Sequence, residues 1–163
     1  MELTHVTHVF PPLFDERCSA LILGSIPSPK SREQGFYYGH PQNRFWRVMA
    51  AVWQEPCPVT IEEKSALMLR HHTALWDTLE ACDIIGAGDS TVKDPVPTDL
   101  EYLLRRAPIK RVFTTGAAAD RFYRLFHQQK TGIPSVRLPS TSPANCAVSL
   151  EQLIEAYRVI ANG

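Results

Sequence analysis

Two proline-rich segments of this 163-residue chain concentrate the side chains that could bind or transform a ligand. The first, GSIPSPKSREQGFYYGHPQNRFW, spans residues 24–46 and holds three serines, three consecutive aromatic residues, a histidine and an asparagine. The second, PSTSPANC, spans residues 139–146 and adds two serines and a threonine. Proline fixes φ and lowers the entropy lost when a loop is held in one shape, so both segments are expected to form preshaped loops.

The residue types in these loops suit contacts with phosphate groups and flat rings. Hydroxyl side chains and exposed backbone N–H groups are the usual neutral phosphate contacts of DNA-binding proteins. The hydroxyl residues are Ser25, Ser28, Ser31, Ser140, Thr141 and Ser142. Phe36, Tyr37 or Tyr38 could stack on a base, an interaction worth about 1–3 kcal/mol. The alternative is that these rings fill the core, and we expect at least one of the three to do so.

Two other side chains of the first segment could take part in chemistry. Asn43 stands at the predicted start of a helix, and its position alone favours an N-cap role. His40 on its own is typical of a surface or loop histidine. The sequence has no G-x-S-x-G elbow after a strand and no G-x-x-x-x-G-K phosphate loop, which argues against a serine hydrolase and a P-loop protein.

Four apolar runs predict short strands, with helical patterns between them. The strands are predicted at residues 19–24, 74–77, 110–116 and 135–138. Helices are predicted at 43–53, from the capping residue Thr60 to about His71 or His72, from Asp99 to Arg106 with Thr98 as cap, through Phe126 after the third strand, and from Ser149 to near Asn162. Residues 82–93, interrupted by glycines, are expected to be irregular.

This order of elements predicts the fold class. Strands that alternate with helices indicate parallel pairing, so we expect a three-layer α/β/α fold with a small, mainly parallel four-stranded sheet in a single domain, 1–163. Ligands of open parallel sheets bind at the carboxyl ends of the strands. The two proline-rich loops leave the first and fourth strands, so the site is expected there.

Composition narrows the setting. Lysines and arginines number 17, as do aspartates and glutamates, which argues against a protein that coats nucleic acid through charge alone. The four cysteines contain no C-x-x-C pair, so the sequence predicts no metal cluster. Neither a signal peptide nor an apolar run of about 20 residues is present, and we expect a cytoplasmic location without membrane contact.

Taken together, the motifs resemble those of a known family. G-S-x-P-S, then Y-Y-x-H-P-x-N-x-F-W, and finally P-S-T-S-P-A-N resemble the uracil-DNA glycosylase superfamily, and within it the hypoxanthine-DNA glycosylase (DNA-deoxyinosine glycosylase) branch. The segment LWDTLEACDIIGAGDSTVKDPVPTDL at residues 75–100 is similar to that branch as well. Uracil- and mismatch-type members carry a catalytic Asn or Asp where this chain has Ile26. In the hypoxanthine branch the catalytic asparagine is instead the one that matches Asn43.

The resemblance implies a monofunctional glycosylase of base excision repair that hydrolyses the N-glycosidic bond of deaminated bases in DNA, hypoxanthine above all. It implies that Asn43 orients the attacking water and that His40 helps to hold the departing base. The implied base pocket comprises Gly24, Ser25, Ile26, Pro27, Ser28, Phe36, Tyr37 and Tyr38. The implied DNA contacts are Ser31, Arg44, Pro139, Ser140, Thr141, Ser142, Pro143 and Asn145. We expect no metal, no cofactor and a monomer that associates with the nucleoid when bound to DNA.

Two alternatives remain at this point. One is a glycosylase that acts mainly on uracil or mismatched bases. The other is a catalytically inactive lesion- or nucleotide-binding domain on the same fold, which fold analogy does not exclude.

Overall fold

The computed structural model describes residues 3–7, 10–26, 35–85 and 92–162. The predicted site residues Pro27, Ser28 and Ser31 lie outside these ranges. Within the described part of the chain, no helix is long and apolar enough to cross a membrane.

The described strands form two sheets. Their bounds are β1 (Leu3–Thr7), β2 (Ala20–Gly24), β3 (Thr73–Asp77), β4 (Leu79–Ile85), β5 (Lys93–Pro97), β6 (Arg111–Thr115) and β7 (Ser135–Leu138). The larger sheet has the order β3-β2-β6-β7, and all three of its pairings are parallel. The predicted mainly parallel four-stranded sheet is confirmed. Every residue of β2 and β3 is buried, which explains why ALILG in β2 and ALW in the middle of β3 are apolar without alternation.

Helices flank this sheet. The described helices are α1 (Phe45–Trp53), α2 (Ile61–Arg70), α3 (Glu101–Leu104), α4 (Ala117–Phe126), α5 (Gln128–Thr131) and α6 (Leu150–Tyr157), and a 3₁₀ turn (Arg158–Ile160) follows the last. The predicted caps are present at Thr60 and Ser149, each as a full capping box with Glu63 and Gln152 respectively. Helices α1 and α6 pack against each other, and α4 packs on β6 and β7.

One predicted helix is shorter than expected. Helix α3 begins at Glu101, and Thr98 does not cap it. The backbone N–H of Thr98 donates instead to the carbonyl of Thr78, 3.0 Å away, at the end of the β4–β5 pairing. The side-chain hydroxyl of Thr98, which would have to accept from the helix, is buried and has no hydrogen-bond partner among the described residues.

The second sheet corrects part of the prediction that residues 82–93 are irregular: residues 82–85 belong to β4 and β5 begins at Lys93, while residues 86–91 lie outside the described ranges. Strands β1, β4 and β5 pair in that order and antiparallel, with register shifts between β4 and β5. Pro95 and Pro97 in β5 explain why the strand was missed, since proline removes a ladder donor and is confined to edges and bulges. Leu79, Cys82 and Phe122 form a small buried cluster that joins this sheet to α4.

Asp120 ties α4 to two strands. This buried carboxylate accepts hydrogen bonds from the hydroxyls of Thr114 in β6 (2.9 Å) and Ser135 in β7 (2.6 Å) through one oxygen. Its other oxygen pairs with Arg124 one turn later, at 2.8 Å. These three contacts inside the fold indicate that the role of Asp120 is structural.

Candidate active site

The carboxyl ends of the parallel strands bring the two proline-rich loops together. Gly24 at the end of β2 lies opposite Asp77 of β3, and Thr115 at the end of β6 lies opposite Leu138 of β7. The loop after β7 touches the first segment directly, because the N–H of Arg44 donates to the carbonyl of Thr141 (3.1 Å). The structure therefore places the described parts of both predicted loops at one edge of the sheet.

Gly24 is required by the close approach of a buried carboxylate. A Cβ at this position would lie 2.7 Å from Asp77 Oδ1 and 3.4 Å from the Tyr38 hydroxyl. The side chain of Asp77 is only 4% exposed. Sequence reasoning missed Asp77 as a site residue. The available signal was a single acidic residue at the end of an apolar strand, in the run ALWD.

Tyr38 is held in a defined orientation beside Gly24. Its φ of 54° is uncommon for a residue with a side chain, and its ring stacks on Phe45 with the centroids 3.9 Å apart. The Thr115 hydroxyl donates its one hydrogen to the carbonyl of Leu23. In the 3.1 Å contact between the Tyr38 hydroxyl and Thr115 Oγ1, Tyr38 must therefore be the donor and Thr115 the acceptor. Burial raises the pKa of Tyr38, and the Asp77 carboxylate raises it further, which keeps the phenol protonated.

Tyr37 belongs to the core and does not stack on a base, which corrects half of the Tyr37-or-Tyr38 prediction. It is 3% exposed, and its hydroxyl donates to the carbonyl of Pro11 at 2.9 Å. Its ring packs edge-on against Phe10, and burial raises its pKa. Phe36 is half-buried and stacks on Trp46 with the centroids 6.0 Å apart. Phe36 and Tyr38 are therefore the partly exposed rings of the three.

Ile26 anchors the first loop by apolar contact. Its partly buried side chain packs on the cluster of Leu79, Cys82 and Phe122. Ser25, also predicted to line the pocket, is buried, and its carbonyl accepts from the N–H of Leu79 (3.1 Å). A polar residue in place of Ile26 would face this apolar cluster.

His40 has a defined tautomer. Its Nδ1 lies 3.0 Å from the backbone N–H of Gln42, which can only donate, so Nδ1 must be the acceptor. In the neutral ring the proton is therefore on Nε2. The half-buried His40 can offer that N–H to a ligand.

Asn43 uses its amide oxygen twice. Oδ1 accepts from the backbone N–H of Phe45 (2.9 Å), the first residue of α1, and from the hydroxyl of Thr141 (2.8 Å). The first bond satisfies one of the N–H groups that have no partner inside the helix, as the capping interpretation predicts. Asn43 does this from the position before the N-cap residue, which is Arg44. Both lone pairs of the oxygen are occupied, and Nδ2 has no acceptor among the described residues.

Arg44, which was predicted to contact DNA, instead forms hydrogen bonds with backbone carbonyls of the same chain. Its guanidinium donates to the carbonyls of Val148 (2.6 Å), Asn145 (2.9 Å) and Ser142 (3.5 Å). These bonds hold residues 139–148, called the tip loop below, against the start of α1. The half-buried guanidinium thus directs three hydrogen bonds to carbonyls of the same chain.

Other internal bonds shape the tip loop. The hydroxyl of buried Tyr157 donates to the carbonyl of Pro139 (2.6 Å), and Asn145 Nδ2 donates to the carbonyl of Ser140 (2.9 Å). The hydroxyls of Ser140 and Ser142 accept from backbone N–H groups two residues ahead. Thr141 is 1% exposed, so its predicted DNA contact is corrected to an internal one. Ser140, Ser142 and Pro143 remain partly exposed.

No group of three or more His, Cys, Asp or Glu residues is arranged to hold a metal ion within the described ranges. The described part of the site contains the buried Asp77 carboxylate, the Nε2–H of His40, the tip loop and the Asn43 amide, whose NH₂ group has no acceptor among the described residues. Such a set can accept from one edge of a planar ligand and donate to another.

Comparisons with known proteins agree on one family. The family model described as the uracil DNA glycosylase superfamily matches residues 11–161. Proteins named hypoxanthine DNA glycosylase from Methanosarcina acetivorans and Methanosarcina barkeri are 33% and 31% identical over 138 residues, or 83% of this chain and 86% of each relative. A solution NMR structure from M. acetivorans, named as a candidate uracil DNA glycosylase, superposes with a TM-score of 0.80 at 28% identity, covering 97% of this chain and 99% of that one.

Proposed function

The chain belongs to the uracil DNA glycosylase superfamily, and we propose that it is a monofunctional DNA glycosylase that removes hypoxanthine from deoxyinosine in DNA. The observation that carries the proposal is the presence of an apolar residue at position 26 together with an asparagine at position 43. Ile26 packs on an apolar cluster and supplies no polar atom, whereas Asn43 holds an amide NH₂ group at the edge of the sheet. Two relatives named for hypoxanthine release support the choice of base.

The reaction requires the target nucleotide to leave the duplex, because its glycosidic bond cannot be reached inside the stack. Residues 24–26 and 36–41 are proposed to form the pocket, with Tyr38 and Phe36 as the rings available for stacking. Breaking the bond leaves positive charge on the sugar and negative charge on the base. A cation that is nearly formed needs only a weak nucleophile, so water adds to the sugar carbon without a strong base. The proton that this water loses neutralises the departing base anion.

Catalysis then depends mainly on donors that meet the departing base. His40 Nε2–H and Asn43 Nδ2–H are two side-chain donors that have no acceptor among the described residues. Preorganised donors aimed at developing negative charge lower a barrier because they need no reorganisation during the reaction. This assignment differs from the water-orienting role that the resemblance implies, because the amide oxygen of Asn43 already accepts two hydrogen bonds.

Asp77 is proposed to accept from the ring N–H of the base. Deamination of adenine creates hypoxanthine, which carries a ring N–H beside its new carbonyl where adenine has an acceptor. A carboxylate accepts but does not donate, so it favours the deaminated ring. The position of Asp77 under Gly24, at the wall of the proposed pocket, supports this role.

Asp77→Asn is expected to slow hypoxanthine release about tenfold, the factor for losing about 1.4 kcal/mol of charge-assisted hydrogen bonding. Single-turnover release from an oligonucleotide measures the effect. Asp120→Asn is the matched control, because Asp120 is also a buried carboxylate but lies on α4, where it holds Thr114 and Ser135, and not beside Gly24. A wild-type rate in Asp77→Asn would remove Asp77 from the site.

A panel of oligonucleotides that contain hypoxanthine, uracil or xanthine tests the function itself. The proposal predicts that hypoxanthine is released faster than uracil or xanthine in single-turnover experiments. It also predicts that the DNA strand is not cleaved, because strand cleavage requires a bifunctional enzyme. Faster uracil release would favour the uracil-type alternative. Binding of the hypoxanthine oligonucleotide without base release, at enzyme in excess, would favour the inactive lesion-binding domain.

The tip loop is proposed to press into the duplex where the base has left. Ser140 and Ser142 are partly exposed and lie between Pro139 and Pro143. Replacing both serines with alanine is expected to weaken duplex binding while largely sparing excision from single strands, which need less unstacking. Equal losses on the two substrates, measured by binding and single-turnover release, would contradict this wedge role.

The protein is further proposed to act as a monomer, formed by a single domain over residues 1–163, in the cytoplasm and on the nucleoid. Sedimentation of the protein with and without an oligonucleotide tests the oligomeric state. A stable dimer in the absence of DNA would contradict it.

A further inference from the structure

Thr141 is the buried residue of the tip loop that contacts the proposed catalytic amide. Its hydroxyl lies 2.8 Å from Asn43 Oδ1, and its carbonyl accepts from the N–H of Arg44 at 3.1 Å. The side chain is 1% exposed, so water has almost no access to it. Two bonds therefore join Thr141 to the 43–44 segment, one of them to the side chain that is proposed to act on the base.

The direction of these bonds determines which end of the amide is free. The backbone N–H of Phe45 can only donate, so the atom 2.9 Å from it must be the amide oxygen of Asn43. The Thr141 hydroxyl approaches the same oxygen and must donate to it as well. With its oxygen held by two donors, the amide offers a ligand only its NH₂ group.

The Phe45 bond alone would leave the amide less constrained. Rotation about χ2 of asparagine is broad, and one hydrogen bond to the oxygen permits a range of amide planes. A second donor from another segment narrows that range and makes the position of Nδ2 depend on the tip loop. Arg44 holds the loop in place from the next position in the chain, through three carbonyls.

We infer that Thr141 is a positioning residue, which orients the Asn43 amide so that Nδ2 faces the departing base. The inference rests on the proposed function, because it assigns Thr141 a role in the same reaction. It also makes the tip loop a part of the catalytic geometry: a displacement of the loop moves the donor. Thr141 itself contacts neither the base nor the sugar.

Thr141→Val tests the inference, because valine keeps the shape and the backbone bond to Arg44 and removes only the hydroxyl. The single-turnover rate of hypoxanthine release is expected to fall about tenfold, the factor for one neutral hydrogen bond. The dissociation constant for the oligonucleotide is expected to stay near the wild-type value. Thr141→Ser retains a hydroxyl and is expected to recover most of the rate.

Thr73→Val is the matched control. Thr73 is also a buried threonine whose hydroxyl donates one hydrogen bond, to the carbonyl of His71 at 2.9 Å, but it lies at the amino end of β3, the opposite edge of the sheet. Its loss is expected to lower stability without slowing excision by folded protein. An equal slowing in both variants, or a wild-type rate in Thr141→Val, would overturn the inference.

An NMR measurement without substrate separates this inference from the proposed function. The side-chain NH₂ signals of Asn43 are identified by their absence in Asn43→Asp. In Thr141→Val they are expected to move towards the values of an exposed asparagine, and in Thr141→Ser to stay near the wild type. Unchanged signals in Thr141→Val would refute the positioning role. A wild-type protein that releases no hypoxanthine would refute the proposed function, whatever these signals do.

Discussion

Asn43→Asp is expected to release hypoxanthine about 100- to 1000-fold more slowly than the wild type in single-turnover experiments. An aspartate can still accept from the Phe45 N–H and the Thr141 hydroxyl, so the two observed hydrogen bonds are kept. What it loses is the NH₂ group that is proposed to meet the departing base. Removal of one donor of this kind costs about 2.7–4 kcal/mol of transition-state stabilisation, which corresponds to that rate factor.

Two further variants separate catalysis from capping at the same position. Asn43→Ala is expected to lose the rate and also about 0.5–2 kcal/mol of stability, because the helix loses its capping acceptor. Asn43→Ser is expected to recover most of the stability but not the rate, since a hydroxyl on a shorter side chain cannot place a donor where Nδ2 was. Oligonucleotide binding should persist in all three variants.

A fast Asn43→Asp protein would contradict the donor role. A carboxylate orients water by accepting from it, so a rate within a few fold of the wild type would assign Asn43 to water orientation. A folded Asn43→Ala protein with near-normal excision would remove Asn43 from the chemistry and leave His40 as the candidate.

Arg44→Met is expected to lower the free energy of unfolding by about 3 kcal/mol, the largest stability loss predicted for the site. The arginine is the donor to the carbonyls of Ser142, Asn145 and Val148, and methionine fills similar volume without a donor. The three carbonyls belong to partly exposed residues, so the expected loss is that of hydrogen bonds to a charged donor, each worth about 1.5–3 kcal/mol at most. Denaturant titration followed by circular dichroism measures the change.

Arg47→Met is the matched control for stability, because Arg47 lies on the same helix but is exposed. A surface change of this kind is expected to stay within about 0.5 kcal/mol of the wild type. Arg44→Lys should be intermediate, since one ammonium cannot reproduce the fork of a guanidinium. If Arg44→Met unfolds at the wild-type denaturant concentration, the three carbonyl contacts do not stabilise the tip loop.

Local signals were sufficient for the main sheet and for two helix starts. The apolar run ALILG needs no partner to be recognised as a strand that is covered on both faces, because parallel sheets bury both sides. Thr60 with Glu63, and Ser149 with Gln152, act through bonds between residues three apart, so their sequence pattern and their structure coincide. The order of strands and helices likewise predicts that both loops lie at the carboxyl ends of the parallel strands, without any knowledge of tertiary contacts.

The antiparallel sheet depended on contacts that local patterns do not contain. Strand β4 pairs with β1, whose Thr7 lies opposite Ala81. Strand β5 contains two prolines, so its sequence does not indicate a strand, and its extended structure depends on the pairing with β4. A register between segments more than 70 residues apart is determined by which faces can be buried together. Single-sequence periodicity carries no information on that choice.

The roles of neighbouring residues were also decided only by the tertiary structure. Tyr37 and Tyr38 have the same chemistry, yet one enters the core beside Phe10 and the other ends beside Gly24, because the positive φ of Tyr38 turns the chain between them. Arg44 looks like a phosphate contact in the sequence, but the nearest acceptors it meets are carbonyls about 100 residues later in the chain. Sequence spacing determines which residue types are present at a site, whereas long-range packing determines which of their atoms remain free to act.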